Sequence, residues 1–399
     1  MKKILFIILM FIGVVPATAQ HYMRIWQGGE STRMPLQDIV YTNGGSNLSA
    51  EGITYATAEI DSITIVKHVT VTYSGNTATV DLGNSTDITY ETDGAHVVLT
   101  NTNITEEMEV ELTGSSTDGS FTYIGAFKCK IHLNGLTLTS TRGAAIDIEN
   151  GKRIDLILED GTTNKLTDAS EGTHKAALYC KGHLEISKGG SLHVTGNLRH
   201  AIASNEYMLI KKSTGSITIE HAVSDAIHAE QYFQMNGGTL NISGMGDDGI
   251  QAEKKNDPNE ELNGQVIIKG GTINMTVAST DTKGIKSDSL MTITGGTFNI
   301  TASGLGTKGI SSGYSMIINE EDNPTQMTIR ASGNKYTDPI TKESSRCIGI
   351  KSGKDLTISA GTITVTNTGV GSKGIKVDGT YYPKGGTVSA NVDATKIIK

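Results

Sequence analysis

Small and apolar residues recur with a period of about 24 residues from position 143 onward. In each repeat a small residue precedes an aliphatic one, at Ala145-Ile146, Ala177-Leu178, Ala201-Ile202, Ala226-Ile227, Gly249-Ile250, Gly284-Ile285, Gly309-Ile310, Gly349-Ile350 and Gly374-Ile375. A period of this length is typical of a solenoid, whose repeats stack their apolar sides into one core. We expect each small residue at a tight corner, with glycine where the backbone needs a positive φ.

A second pattern runs out of phase with the first. A Thr or Ser opens a short segment in which polar and apolar residues alternate, as in Thr239, Leu240, Asn241 and Ile242. Alternation with period two predicts strands that bury one side, and no helical stripe accompanies it. Two or three short strands per repeat, stacked on parallel neighbours at about 4.8 Å, give an all-β fold. The sequence therefore predicts a right-handed parallel β-helix.

We expect four regions along the chain: a signal peptide (1–19), a small N-terminal β element (20–67), irregular first coils with a cap (68–142) and the β-helix repeats (143–399). Two lysines precede an apolar run from Ile4 to Val15, and an Ala-Thr-Ala cleavage signature ends at Ala19. Cleavage after Ala19 predicts an exported protein, in the periplasm or outside the cell. The apolar run is too short to span a bilayer, so we expect no membrane insertion.

Composition narrows the range of partners and of covalent cross-links. The formal net charge of −8 argues against nucleic acid, because phosphate backbones bind basic proteins. The 3 cysteines are too few and too dispersed for the disulfide framework of a small secreted domain. Cys129 alternates with Ile131 and Leu133, and we therefore expect it in the core.

Three segments lengthen individual repeats without disturbing the strand pattern that follows them. They are Glu253 to Asn263, Asn334 to Arg346 and a smaller one around Thr163 to His174. The first follows the Gly-Ile strand of its repeat and the second precedes the Gly-Ile strand of its own. We expect these insertions to flank one face of the solenoid and to wall a groove across it.

Because repeats stack, each repeat position becomes a column along the molecule. Two residues before the aliphatic position, Asp225 and Asp248 lie one repeat apart, with Asp247 adjacent. Stacked carboxylates repel unless a cation lies between them, and calcium takes such oxygen ligands. A second acidic column holds Glu230 and Glu253. These five acids are the candidate calcium ligands; the alternative is that neighbouring lysines neutralise them.

A lysine-rich strip crosses the same face. One residue after the aliphatic position, an outward column begins at Asp147 and becomes basic further along the chain. Together with lysines of the adjacent corner, this column forms the strip, whose members are Gln251, Lys283, Lys286, Lys308, Lys351 and Lys376. Charges that recur in every repeat suit a linear anionic polymer such as a uronate glycan. The alternative is that these lysines prevent aggregation through exposed strands.

Two further sets of polar residues have simpler interpretations. Asn241, Asn274 and Asn299 share one outward position on consecutive repeats, which predicts a structural ladder of amides bonded along the axis. The 10 histidines show no ligand spacing, so the sequence argues against a histidine-based metal site.

Several motifs carry a family resemblance that extends from about Val69 to the C-terminus. They are Gly-Ala-Ala-Ile at 143–146, Asp-Gly-Thr-Thr-Asn at 160–164 followed by Leu-Thr-Asp at 166–168, Asp-Asp-Gly-Ile at 247–250, and the repeated Gly-Gly-Thr and Lys-Gly-Ile-Lys segments. The chain resembles secreted bacterial carbohydrate-binding proteins of the DUF4353 type. The resemblance implies a fold like that of pectate-lyase β-helices and binding of plant-type polysaccharides with bound calcium.

Three functions remain open from the sequence. The first is non-catalytic, calcium-assisted binding of an extended polysaccharide, including acidic ones, in a groove over the Gly-Ile strands. The second is a calcium-dependent polysaccharide lyase, in which Lys283 would take the C5 proton of a uronate. The third is an adhesive or structural rod that displays loops to a protein partner. No nucleophile elbow, phosphate loop or cofactor fingerprint is present.

Overall fold

The computed structural model describes residues 22–28, 30–35, 39–50, 52–66, 68–83, 85–257, 259–319 and 324–398. The predicted signal peptide, residues 1–19, lies outside the described residues. The described chain is all-β apart from two short 3-10 helices, Asn43–Gly45 and Thr57–Glu59. It divides into two units, one made of residues up to Val69 with Asp81–Ser85, the other of Thr70–Val80 with the residues from Thr86 on.

The first unit contains two three-stranded antiparallel sheets. One consists of Glu30–Pro35, Tyr22–Gln27 and Ser62–Val66, and the other of Val40–Thr42, Asn47–Ala50 and Ile53–Ala56. Their apolar residues share one core, formed by Met23, Ile25, Met34, Leu48, Ala50 and Tyr55. The small predicted β element thus has six strands among its described residues, and Thr57–Glu59 separates Ile53–Ala56 from Ser62–Val66.

The second unit is built on a large, mostly parallel sheet in which strands pair in three series. From residue 143 to about residue 320, each strand pairs with the third strand that follows it along the chain. The first strand series comprises Ala95–Asn101, Gly119–Ile124, Ile146–Glu149, Ala176–Cys180, His200–Ser204, Ile227–Ala229, Ile250–Ala252, Lys283–Ser287, Lys308–Ser312, Ile348–Ser352, Lys373–Pro383 and Val392–Ile397.

The other two series begin at the long strands Met108–Ser116 and Cys129–Thr139. The second continues through Ile154–Leu158, Leu184–Ser187, Met208–Ile210, Tyr232–Met235, Gln265–Ile268, Met291–Ile293, Met316–Ile318 and Leu356–Ile358. The third continues through Thr163–Thr167, Ser191–Gly196, Ser216–Ala222, Thr239–Ile242, Thr272–Val277, Gly296–Ala302, Thr325–Ala331, Thr362–Asn367 and Thr387–Ser389. The remaining strands are His68–Ser74, Thr77–Asp81, Ile88–Asp93 and the hairpin Tyr336–Thr337 with Ser344–Ser345.

Inward residues of the three series form a continuous core. Ile202, Ile227 and Ile250 are successive partners in the first strand series, and each is 0% exposed. Burying one such side chain contributes about 1.5–3 kcal/mol, so a short repeat gains its stability only by stacking on its neighbours. All three cysteines are buried and free, which confirms that Cys129 belongs to the core.

The corner glycines are required for close packing. The expectation of positive φ is wrong for Gly249, Gly284 and Gly309, which are absent from the positive-φ residues of the described chain. A Cβ added to Gly284 would lie 2.4 Å from the carbonyl oxygen of Gly309, and one added to Gly309 would lie 2.6 Å from that of Gly349. The adjacent strand leaves no room for a side chain at these corners.

The positions of the insertions and the amide ladder agree with the predictions from the sequence, with one exception. Residues 253–263 follow Ile250–Ala252, and residues 334–346 precede Ile348–Ser352, as expected. The third insertion was placed too early, because Thr163–Thr167 is a paired strand and only the loop 168–175 leaves the sheet. Asn274 Nδ2 donates to Asn241 Oδ1, and Asn299 Nδ2 to Asn274 Oδ1, both at 2.9 Å, which confirms the amide ladder.

Candidate functional site

The outward residues of the first strand series form the predicted column. Register places Asp147, Tyr179, Ala203, His228, Gln251, Lys286, Ser311, Lys351 and Lys376 opposite one another on successive strands. The column is acidic at one end and basic at the other. Side chains along this face are therefore aligned for contact with one extended molecule.

The predicted acidic cluster is present. Asp225, Asp247 and Asp248 each place a carboxylate oxygen within 4.8 Å of the others. Asp225 Oδ1 accepts the backbone N–H of Asp248 at 2.9 Å, and Asp248 Oδ1 accepts that of Lys283 at 2.8 Å. One oxygen of each buried carboxylate thus accepts a backbone N–H from further along the chain, which is a structural role. The other oxygen of Asp248, Oδ2, is buried without a hydrogen-bond partner among the described residues.

Two histidines complete the surroundings of Asp225. Asp225 Oδ2 lies 3.2 Å from His200 Nδ1 and 2.8 Å from His228 Nδ1. When the Gln251 amide nitrogen faces Asp225, it donates to Oδ2 at 3.1 Å, and the amide oxygen accepts from Lys286 Nζ at 3.1 Å. Burial raises the pKa of the Asp225 carboxyl, but the hydrogen bonds from the two histidines outweigh burial and hold the pKa well below its ordinary value.

The structure brings two histidines together although the sequence showed no ligand spacing between them. His200, Asp225 and His228 meet the distance requirement for a metal-binding group. The two imidazole rings are, however, stacked, with centroids 4.4 Å apart and planes inclined by 23°. Both Nδ1 atoms lie within 3.2 Å of Asp225 Oδ2. The histidines therefore already have Asp225 as a partner, and a metal ion would have to replace these contacts.

Lysines neutralise the next carboxylate. Lys286 Nζ lies 3.2 Å from Asp248 Oδ2, and Lys283 Nζ lies 3.9 Å from Asp248 Oδ1. Burial nevertheless raises the pKa of the Asp248 carboxyl above its ordinary value, against the opposing effect of both lysines. These contacts are the alternative to calcium that the sequence left open.

The five predicted calcium ligands do not converge on one site. Glu230 pairs with Lys175 at 3.2 Å, and Glu253 pairs with His228 Nε2 at 3.2 Å. Neither glutamate belongs to a metal-binding group of the described residues. Calcium takes six to eight oxygen ligands. At Asp225 and Asp248 it would have to displace protein donors already in contact, so the residues present fit calcium poorly.

The predicted lysine strip is only partly exposed. Lys308 is 8% exposed, and its ammonium donates to Asp281 Oδ1 at 2.8 Å, to the Gly306 carbonyl at 2.8 Å and to Ser345 Oγ. Ser345 lies in the hairpin of the 334–346 insertion, which contacts this lysine. Lys351 and Lys376 both face Asp378, at 3.8 and 2.9 Å, and their side chains are 34% exposed.

A pocket that sequence analysis did not predict lies at the acidic end of the column. Its volume is about 530 Å³. We call it the Asp147 pocket, and it is lined by His96, Ser120, Thr122, Arg142, Gly143, Ala144, Asp147, Glu149, Thr173, His174, Lys175 and Tyr179. Strands of the first series supply its floor, and the loop 168–175 supplies part of its wall. The loop 168–175, which is one of the three predicted insertions, thus forms part of a concave surface on this face.

His174 is held in this pocket by a buried carboxylate. His174 Nε2 lies 2.7 Å from Asp168 Oδ2, and the Asp168 side chain is 0% exposed. The other oxygen of Asp168 accepts the backbone N–H of Asn197 at 2.6 Å. In the tautomer that carries its proton at Nε2 and donates to Asp168, the His174 ring has Nδ1 as an acceptor. That Nδ1 atom is buried and has no hydrogen-bond partner among the described residues.

Asp147 also has a buried acceptor without a hydrogen-bond partner. No donor in the described part of the chain reaches its Oδ1 atom. Burial and the neighbouring Glu149 carboxylate raise the pKa of Asp147 to about 6. Glu149 differs, because its Oε2 accepts from Lys181 Nζ at 3.1 Å. The position of Asp147 in the column could be read from the sequence. Nothing in the sequence indicated that His174 would line the same pocket.

The basic side chains that line the pocket already have partners. Arg142 Nη1 pairs with Asp93, and Lys175 Nζ donates to Asn205 Oδ1 at 2.9 Å and to Glu230 Oε1 at 3.2 Å. His96 lies between Ser120 Oγ, at 2.9 Å, and Asp118 Oδ1, at 3.1 Å. The pocket therefore offers unpaired acceptors, and its cations are engaged.

Comparisons with known proteins agree with this fold and point to a family. A chain from Acetivibrio thermocellus, described as a carbohydrate-binding domain-containing protein, is 28% identical over 138 residues, which is 32% of this chain and 48% of the relative. The chain thus spans about half the length of that curated relative. A solved structure, the polysaccharide lyase-like protein from C. thermocellum as a gadolinium derivative, superposes with a TM-score of 0.52 at 22% identity.

That superposition covers 64% of this chain and 97% of the solved one. At 22% identity it shows a similar fold and nothing about function. Among the described residues, no helix is long and apolar enough to cross a membrane. A sequence model of the carbohydrate-binding domain-containing protein family matches residues 99–394, which is most of the chain. The chain belongs to this carbohydrate-binding domain-containing family.

Proposed function

We propose that this protein binds an extended polysaccharide along the outward face of the first strand series, without cleaving it. Family membership supports a carbohydrate ligand, and the aligned column from Asp147 to Lys376 supports an extended one. The observation that carries the proposal is the Asp147 pocket, a concave site at one end of this column with unpaired acceptors. Sugar hydroxyls are donors that suit such acceptors.

A right-handed parallel β-helix with about 24 residues per turn is the architecture we propose for the second unit. Pairing of each strand with the third following strand supports it, because three strands per turn produce that pattern. Neighbouring strands lie about 4.8 Å apart in a sheet. Outward side chains would then repeat at that interval along the axis, and many weak polar contacts with a polymer could add up.

At the other end of the column we propose contact with acidic sugars. Lys351 and Lys376 share the single carboxylate of Asp378 and are partly exposed, so they retain capacity for a uronate carboxylate. Gln251, Lys283 and Lys286 contact the Asp225 and Asp248 carboxylates, and for them we propose a supporting role in the shape of this face. Lys308 is left out, because its ammonium is buried.

Calcium assistance and export remain predictions within this proposal. One oxygen of Asp225 and one of Asp248 accept backbone N–H groups, and the other oxygens face histidine and lysine nitrogens, so we expect any calcium effect to be weak. Lys283 acts as a neutralising partner of Asp248, and no observation favours it as the base of a lyase. We propose that the mature protein is exported after cleavage at Ala19.

The test is gel retardation of the protein without residues 1–19 in neutral and uronate polysaccharides, with calcium and with EDTA. We expect retardation by at least one polymer, no shortening of that polymer and little change in EDTA. Release of unsaturated uronate products, seen by ultraviolet absorbance, would replace the binding function by a lyase. Absence of retardation in every polymer would favour the adhesive rod, to be pursued by deleting residues 334–346.

A further inference from the structure

The Asp147 pocket has two buried polar atoms that nothing in the described chain satisfies. Asp147 Oδ1 and His174 Nδ1 both lie on its lining, and the His174 side chain is only 9% exposed. Buried polar atoms in folded proteins nearly always have a hydrogen-bond partner, and an exception calls for an explanation. Two exceptions on one pocket point to a ligand that supplies the missing partners.

We propose that the pocket is a subsite for one uncharged sugar unit, whose hydroxyl groups donate hydrogen bonds to Asp147 Oδ1 and His174 Nδ1. This inference rests on the proposed function and specifies the sugar class for this end of the face. Asp147 Oδ1 is an acceptor, and His174 Nδ1 is an acceptor in the tautomer that carries its proton at Nε2, where the ring faces Asp168. A ligand that satisfies both must therefore be a donor at two points, as a sugar with neighbouring hydroxyls is.

Charge excludes a uronate from this subsite. Asp147 and Glu149 would both repel a carboxylate, because they project from the same strand into the pocket lining. The charges of Arg142 and Lys175, which also line the pocket, are already paired with Asp93 and Glu230. The volume of about 530 Å³ falls within the usual range for small-ligand pockets, about 300–1,000 Å³. Acidic sugars are thus confined to the lysine end of the column.

The experiment is calorimetric titration of the protein with short neutral and short uronate oligosaccharides. The variants are Asp147→Asn and His174→Gln, with Asp257→Asn as the matched control because Asp257 is exposed and lies in the 253–263 insertion. We expect a neutral oligosaccharide to bind and Asp147→Asn to weaken it at least about tenfold, since hydrogen bonds to charged groups are worth about 1.5–3 kcal/mol. Asp257→Asn should bind like the wild type.

The outcomes separate this inference from the proposed function. Retardation by polysaccharide that persists, with unchanged neutral-sugar affinity in both pocket variants, would overturn the subsite and leave the binding function intact. Uronate binding that Asp147→Asn abolishes would overturn the sugar class. Absence of binding to every glycan would overturn both. In the wild type, the nitrogen-15 shift of His174 Nδ1 should report an acceptor that gains a hydrogen bond when the sugar is added.

Discussion

Two carboxylates at the first strand series, the buried Asp225 and the half-buried Asp147, meet opposite conditions. Asp225 Oδ1 accepts the backbone N–H of Asp248, Oδ2 lies within 3.2 Å of the Nδ1 atoms of His200 and His228, and the pKa of Asp225 is depressed. Asp147 has a buried oxygen without a donor, and burial raises its pKa to about 6. A carboxylate that the fold satisfies stabilises the fold, whereas one that the fold leaves unsatisfied destabilises it and is available to a ligand.

Replacement of Asp225 should give the largest loss of stability. Asp225→Asn leaves His200 and His228 without their carboxylate, and we expect the free energy of unfolding to fall by about 3 kcal/mol, as when one partner of a buried pair is removed. Urea denaturation at neutral pH measures this, and glycan affinity should not change once the variant is folded. A loss below 1 kcal/mol would mean that the histidine contacts are not stabilising.

The same carboxylate should govern stability in acid. Its folded pKa is below the unfolded value, so its contribution is complete above the unfolded pKa, about 3.9. The contribution is lost as the pH falls below that value. Unfolding profiles of the wild type and Asp225→Asn should therefore converge towards low pH.

Replacement of Asp147 should increase the stability of the protein at neutral and alkaline pH. The folded pKa of about 6 lies above the unfolded value, so the wild type loses stability as the pH rises through 6. Asp147→Asn should raise the free energy of unfolding at pH 8 by about 1–2 kcal/mol, because one pKa unit is worth about 1.4 kcal/mol and solvent in the pocket screens part of it. At pH 3 the gain should vanish. Equal thermal stability of both proteins at pH 8 would contradict an unsatisfied Asp147.

The sequence predicted the contacts that follow from the pairing of strands. It did not predict the contacts that depend on the path of a loop. Strand alternation and the spacing of the motifs placed Asp225, Asp248 and Gln251 correctly, because pairing of successive strands brings equivalent sequence positions next to one another. The meeting of His200 with His228 joins two different columns, and a search for fixed ligand spacing could not find it. Burial of Lys308 depends on the hairpin of the 334–346 insertion, and the pocket depends on the path of the loop 168–175. Loop paths leave no periodic signal.

The amide ladder offers a smaller test of a satisfied polar group far from any proposed ligand. Asn274 donates to Asn241 and accepts from Asn299. Asn274→Ala removes both bonds, each worth about 0.5–1.5 kcal/mol, and should cost about 1–2 kcal/mol because the bond to Asn299 is exposed. Denaturation measures the loss, and affinity for neutral oligosaccharides should equal that of the wild type. Weakened sugar binding would show that satisfied groups also contribute to the ligand surface.

The smallest effect should come from the lysine end of the column. Lys351→Ala with Lys376→Ala removes two partly exposed charges that share Asp378. Stability should change by less than about 0.5 kcal/mol, because exposed ion pairs contribute little. Retardation by a uronate polymer should weaken about two- to fivefold at low salt and less at high salt, since salt screens exposed charges. Retardation by a neutral polymer should stay unchanged, and an equal loss for both polymers would remove the distinction between the two ends of this face.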